Sequence, residues 1–225
     1  MNRQVWRGHS AGLGAEVRVA RWGHYGRPVL WMSAAGGDAL EAERYQLIEP
    51  LAPLIEAGRI KLYAADSLGN ARWLGQDPGL NARYLRFLGE QVCPLMHEDS
   101  GHTPQRFLVV GASLGAVDAL CAGLAWPGWF AATLALSPAR FAPFGDPVGT
   151  ALQALLPAER TALAGRKFHL YTGSGHLEDP SEARRLQRLL EGAGLSAPLE
   201  RAGGDAGHDH GAWRARLPRL LESLA

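Results

Sequence analysis

Only two cysteines, Cys93 and Cys121, occur in the 225 residues. That is too few for a disulfide framework, and both fall among apolar neighbours in helical patterns, where buried free thiols are expected. Charge of one sign is also missing: 23 basic residues stand against 22 acidic ones, interspersed, for a net charge of +1. Such a balance gives no electrostatic footprint for nucleic acid or an anionic membrane surface. No apolar run suits a membrane span. The longest uncharged stretch, Ala119 to Ala139, is rich in alanine and glycine and is interrupted by Pro127-Gly128, so helix, turn and strand explain it better. The opening MNRQVWRGHS lacks the basic-then-apolar pattern of a secretory signal, and a cytoplasmic protein is expected. Internal repeats and low-complexity tracts are absent too.

What is there is 47% hydrophobic residues, enough to bury a full core in one domain over residues 1–225. Strands are expected near Gln4 to Arg7, Glu16 to Arg21, Pro28 to Ser33, Ile60 to Ala65, Arg106 to Val110, Ala131 to Leu136, Lys167 to Tyr171 and Pro198 to Arg201. The first two alternate polar and apolar, as a one-sided antiparallel edge does; VLWM, IKLYAA, FLVV and ATLAL are continuous, as strands covered on both faces are. Helical patterns lie between them, at Leu40 to Ala57, Leu80 to Met96, Leu114 to Ala125, Thr150 to Leu163, Ser181 to Glu191 and Ala212 to Leu224. Alternating strands and helices predict an α/β fold with a mostly parallel eight-stranded sheet, right-handed crossovers and an antiparallel N-terminal edge. A proline-rich insertion at about 138–166 is either a small lid over the strand ends or a long connection containing a helix.

Gly-x-Ser-x-Gly occurs twice, as Gly8-His9-Ser10-Ala11-Gly12 and Gly111-Ala112-Ser113-Leu114-Gly115. A nucleophile elbow needs an apolar strand feeding the turn and a helix leaving it, with small residues on both sides. Only the second match has them: FLVV precedes it and an apolar helical stretch follows, whereas Ser10 lies between two edge-like segments. Ser113 is therefore the candidate nucleophile.

A serine hydroxyl needs an imidazole to take its proton, and the imidazole needs a carboxylate to fix its tautomer. In α/β-hydrolases these follow in the order serine, acid, histidine, with the histidine on a loop after the last strand. His208, in AGGDAGHDHGAWR, fits that place. His169 falls inside a strand, His9, His24, His97 and His102 precede the elbow, and His176 stands where the acid belongs and is a candidate pocket residue. The acid is Glu178 or Asp179, directly after the strand at Lys167 to Tyr171. Asp179 precedes Pro180 and stands three residues before Glu182, the pattern of a helix N-cap with proline at N1 and a capping-box glutamate. Glu178 is favoured on that ground, and Asp179 is the alternative. For the developing oxyanion, the Leu114 N–H is one candidate donor, and the Ser33-Ala34-Ala35-Gly36-Gly37 loop supplies a second from Ala35 or Gly36.

The segments WMSAAGG, IKLYAADS, GASLGA, YTGSGHLEDP and AGHDHGAWRARLP together resemble the esterase branch of the α/β-hydrolases, the group related to esterase D, the enterochelin esterases and the antigen 85 acyltransferases. The resemblance spans nearly the whole chain. GHDHGAWR is similar to that branch's GHDWxxWR, which implies His208 as the catalytic histidine; His210 replaces the usual tryptophan and bears on the pocket wall. GSGHLED resembles its GSGxxE segment, which again implies Glu178. Asp66, Ser67 and Trp73 match a pocket-side segment, and Trp126, Phe141 and Phe144 are further apolar candidates, Trp126 more as core. The expected activity is hydrolysis of small carboxylic esters through an acyl-enzyme, without metal or organic cofactor. Acyl transfer by the same three residues, or a non-catalytic binding scaffold, are the alternatives.

Overall fold

The continuous apolar runs form the centre of one eight-stranded sheet ordered β1-β2-β4-β3-β5-β6-β7-β8. The strands are β1 (Arg3–Ser10), β2 (Ala15–Trp22), β3 (Arg27–Met32), β4 (Ile60–Ala65), β5 (Phe107–Ala112), β6 (Phe130–Leu136), β7 (Lys167–Thr172) and β8 (Leu199–Arg201). This computed structural model describes residues 3–69, 77, 79–140, 145–155 and 157–224. β1 pairs with β2, and β2 with β4, antiparallel; the other neighbours are parallel. The chain is thus an α/β protein with an antiparallel N-terminal edge, as the alternating and continuous patterns predict.

Helices cover both faces. On one lie α1 (Glu41–Arg44), α2 (Ile48–Glu56) and α9 (His210–Glu222). They pack on Val29, Trp31, Leu62, Ala64, Leu108 and Val110. The alternate residues Leu30, Met32, Tyr63, Ala65, Phe107 and Val109 meet the helical run on the other face, the period of two that a strand buried on both sides imposes. That run is α3 (Leu80–Phe87), a π-turn at Leu88–Val92, and α4 (Cys93–Asp99). α5 (Leu114–Ala125) follows the elbow, apolar nearly all round because sheet and neighbouring helices enclose it. α6 (Pro147–Ala154) and α8 (Pro180–Gly192) pack against its outer side, with α7 (Pro157–Ala162) between them in the chain.

Three expected helices are interrupted. The expected helix from Leu40 to Ala57 divides because Gln46 takes a φ of 58°. There the Leu47 N–H donates to the Ala42 carbonyl and the Gln46 N–H to that of Glu43, the bonding that ends a helix at a left-handed residue. The second, Leu80 to Met96, continues to Asp99 but widens into a π-turn. Cys93 N–H bonds Leu88 there, one residue farther back than in an α-helix, and Pro94 has no N–H to offer the Gly89 carbonyl. Trp129 Nε1 fills the gap, donating to Gly89 at 3.1 Å. Trp126 donates to Leu85 at 2.8 Å and packs on Gly89, in line with its reading as core. In the insertion at 138–166, Pro157 opens a second helix; α6 is seated on α5 through Val148 and Leu152, and residues 141–144 lie outside the described residues. Cys93 and Cys121 are both buried, and neither is in a disulfide.

Gly115 permits a close contact behind the elbow: a Cβ there would stand 2.2 Å from the Met32 carbonyl and 2.5 Å from that of Ser33. Gly115→Ala should therefore lower stability by about 2 kcal/mol or more. Gly128→Ala, which meets open space, should change it by less than about 0.5 kcal/mol. Urea titration of both variants measures the difference, and equal stabilities would contradict this packing.

Candidate active site

β5 delivers the chain to Ser113, whose φ of 58° and ψ of −121° are those of the first central residue of a type II′ turn, a position that glycine ordinarily takes. A non-glycine residue held there is strained, and the surrounding contacts must over-determine it. They do. Ser113 N–H donates to Leu136 at 3.0 Å, and its carbonyl accepts from Ala116 at 3.1 Å and Ala139 at 3.3 Å. Gly111 lies so close to Gly115 that a Cβ would come 2.0 Å from the Gly115 carbonyl. Two glycines on either side of the serine let strand and helix meet at this angle.

His208 Nε2 is 2.9 Å from Ser113 Oγ. On its far side Nδ1 is 3.5 Å from Glu178 Oε2, a buried atom with no other hydrogen-bond partner among the described residues. The carboxylate therefore faces the imidazole at slightly more than hydrogen-bond length, a looseness common before substrate binds. It favours the tautomer with the proton on Nδ1, leaving Nε2 to accept from the serine. Burial acts to raise the Glu178 pKa, but His208, Thr172 and Ser137 outweigh it and hold the carboxyl below the ordinary glutamate value. Thr172 Oγ1 donates to Oε1 at 2.7 Å. Trp213 Nε1 donates to Ser137 Oγ at 3.0 Å, and the Trp213 ring stands edge-on to His208.

Two glycines bring the acid and histidine segments together. The Ala206 carbonyl accepts from Ser174 N–H at 3.1 Å and Gly175 N–H at 2.9 Å, and His208 N–H donates to the His176 carbonyl at 3.0 Å. A Cβ on Gly173 would stand 1.9 Å from the Ala206 oxygen, and one on Gly175 2.6 Å from that of Asp205. Thr172, Ser137, Gly173 and Trp213 had drawn no functional reading. The Gly-Ser-Gly spacing was the one visible sign, since side-chain-free positions beside a strand end permit a second backbone to dock.

The loop after β3 lies against the elbow through the Gly115 contact. Among the described residues, Leu114, Ala35 and Gly36 donate no backbone N–H to a protein acceptor, and Ala35 and Gly36 are exposed. Asp66 holds this loop: it accepts from Arg18 N at 2.8 Å, Arg18 Nε and Nη2 at 2.9 Å each, and Ala39 N at 3.0 Å. Ser67 Oγ donates to the Gly37 carbonyl at 2.5 Å.

Asp179 does cap α8, accepting from Ser181 N–H at 2.9 Å, and is exposed. His176 is exposed and joins the site through its carbonyl. His210 opens α9, its ring stacked on Tyr45 with centroids 3.7 Å apart. Ser10 ends β1 at a hairpin turn, with β2 and no helix after it. Trp73, Phe141 and Phe144 lie outside the described residues.

Residues 61–224, which hold Ser113, Glu178 and His208, match the family described as "Putative esterase". The chain belongs to this esterase family. Among solved structures, this esterase is similar to a ferulic acid esterase at 16% identity and a TM-score of 0.77, over 99% of this chain and 97% of that one. It is also similar to the S-formylglutathione hydrolase of Staphylococcus aureus, at 14% identity and 0.72 over 99% and 98%. MPT51 of Mycobacterium tuberculosis, at 12% identity, gives 0.73 over 100% and 98%. These likenesses establish the α/β-hydrolase fold. No curated protein matches by sequence. No helix among the described residues is long and apolar enough to cross a membrane.

The two adjacent acids should separate experimentally. Asp179→Ala should cost about 1 kcal/mol of stability through the lost cap and leave ester turnover unchanged. Glu178 is ionised more readily folded than unfolded, so the stability it adds is complete above its ordinary value of 4.5 and is lost as pH falls through the lower folded value. The melting-temperature gap between the wild type and Glu178→Gln should accordingly narrow in acid below that pH; a gap that stays constant would contradict the assignment.

Proposed function

We propose that this esterase is a serine hydrolase that cleaves carboxylic esters through an acyl-enzyme, with Ser113 as nucleophile, His208 as general base and then acid, and Glu178 as its orienting carboxylate. The observation that carries the reading is the 2.9 Å contact from His208 Nε2 to Ser113 Oγ, with the Glu178 oxygen at the opposite ring nitrogen.

Ser113 Oγ attacks the ester carbonyl carbon while its proton passes to His208 Nε2. The imidazolium so formed is stabilised by Glu178, and the 3.5 Å gap shortens as charge develops. Leu114 N–H and the Ala35 or Gly36 N–H stabilise the tetrahedral oxyanion, in a place where donors are already free and need no reorganisation. Collapse expels the alcohol, which takes the proton back from His208. Water then attacks the acyl group by the same route in reverse, its proton going to His208 and returning to Ser113 as the acid leaves. A small ester of little charge suits a protein with a net charge of +1.

Ser113→Ala should lose turnover of p-nitrophenyl acetate and labelling by a fluorophosphonate while melting as the wild type does. Glu178→Gln should keep KM within about threefold and lower kcat by about a thousandfold. Full activity in Ser113→Ala would refute the reading.

A further inference from the structure

Glu41 is a carboxylate in the core, with a relative exposure of 1%, and among the described residues no lysine or arginine is bonded to it. A buried carboxylate is costly unless hydrogen bonds replace its water. Its bonds go to the base of one loop: Oε1 accepts from Ala34 N–H at 2.9 Å and faces Trp31 Nε1 at 3.4 Å. Its other oxygen lies against Gly37, where a Cβ would stand 1.7 Å from it. The His210 ring, stacked on Tyr45, covers the group with Nε2 3.9 Å from Oε1.

These contacts divide the amides of the loop. Ala34 N–H is drawn inward to the carboxylate, and Gly37 N–H turns back to the Ala34 carbonyl at 3.0 Å. Between them the Ala35 and Gly36 N–H groups are unbonded among the described residues, with Gly36 at a φ of 73°. We propose that Glu41 is a positioning residue: its buried carboxylate, bonded to Ala34 and packed on Gly37, sets the loop so that the Ala35 and Gly36 amides are presented to the oxyanion. The inference rests on the reading of those amides as oxyanion donors. Glu41 touches no reacting atom, and its effect should fall on the transition state.

The test compares Glu41→Ala, Glu41→Gln and Gly37→Ala with the wild type and Ser113→Ala. The readouts are kcat and KM for p-nitrophenyl acetate, inhibition by phenylboronic acid, whose serine adduct carries the tetrahedral geometry, and melting temperature. Glu41→Ala should lower kcat by about tenfold to a hundredfold, weaken the boronic acid in parallel and leave KM within about threefold. Glu41→Gln, which retains an acceptor for Ala34, should fall between. Gly37→Ala drives a methyl group into the same carboxylate and should show the same split; with Glu41→Gln it decides the matter where Glu41→Ala does not fold. Wild-type kcat and boronic acid affinity in a folded Glu41→Ala, or failing that in both other variants, would overturn the proposal. Turnover that persists in Ser113→Ala would instead overturn the nucleophile assignment on which it rests.

Discussion

The backbone of one serine is the constraint on which the rest depends. At φ 58° and ψ −121°, Ser113 is held where an L-residue is strained, and the structure keeps it there by denying Cβ atoms to its neighbours. Gly111 packs on Gly115, and Gly115 packs on the carbonyls of Met32 and Ser33. The last contact matters most for chemistry, because it seats the start of the β3 loop against the start of α5. Elbow and loop are therefore positioned by one close approach.

Four carboxylates around this site differ in task because they differ in burial and in donors. Glu178 has one oxygen satisfied by Thr172 and the other facing an imidazole, so it can respond to charge on that ring. Asp179, next in the chain, is exposed and spent on a helix cap. Asp66 is bonded by Arg18 and Ala39, while Glu41 accepts from the N–H groups of Ala34 and Trp31. Support for the loop and orientation of the histidine are thus divided among different acids, none of which competes for the others' donors.

Much of this was legible from residues alone. Alternation in β1 and β2 against continuous runs in β3 to β6 carries the topology, since two-sided burial removes the polar face. The elbow could be told from Ser10 by its flanking strand and helix, and Asp179 could be set aside because Asp-Pro-x-Glu has a capping geometry. What escaped depends on pairs distant in the chain. Trp129 repairing a helix at Gly89, Ala206 docking over Gly173, and Asp66 bonding Arg18 are long-range matches that no local pattern encodes. The left-handed Gln46 is a further case: its helix stops where packing demands, with neither glycine nor asparagine to mark it.

The central claim is that an acyl group passes through the Ser113 oxygen. Turnover of p-nitrophenyl acetate quenched in acid within the first cycle, followed by peptide mass mapping, tests it directly. The account predicts an acetyl group on the peptide containing Ser113, formed as fast as the first equivalent of nitrophenol and absent when His208 is replaced. Nitrophenol release with no covalent adduct, or an adduct on Ser10 instead, would contradict it.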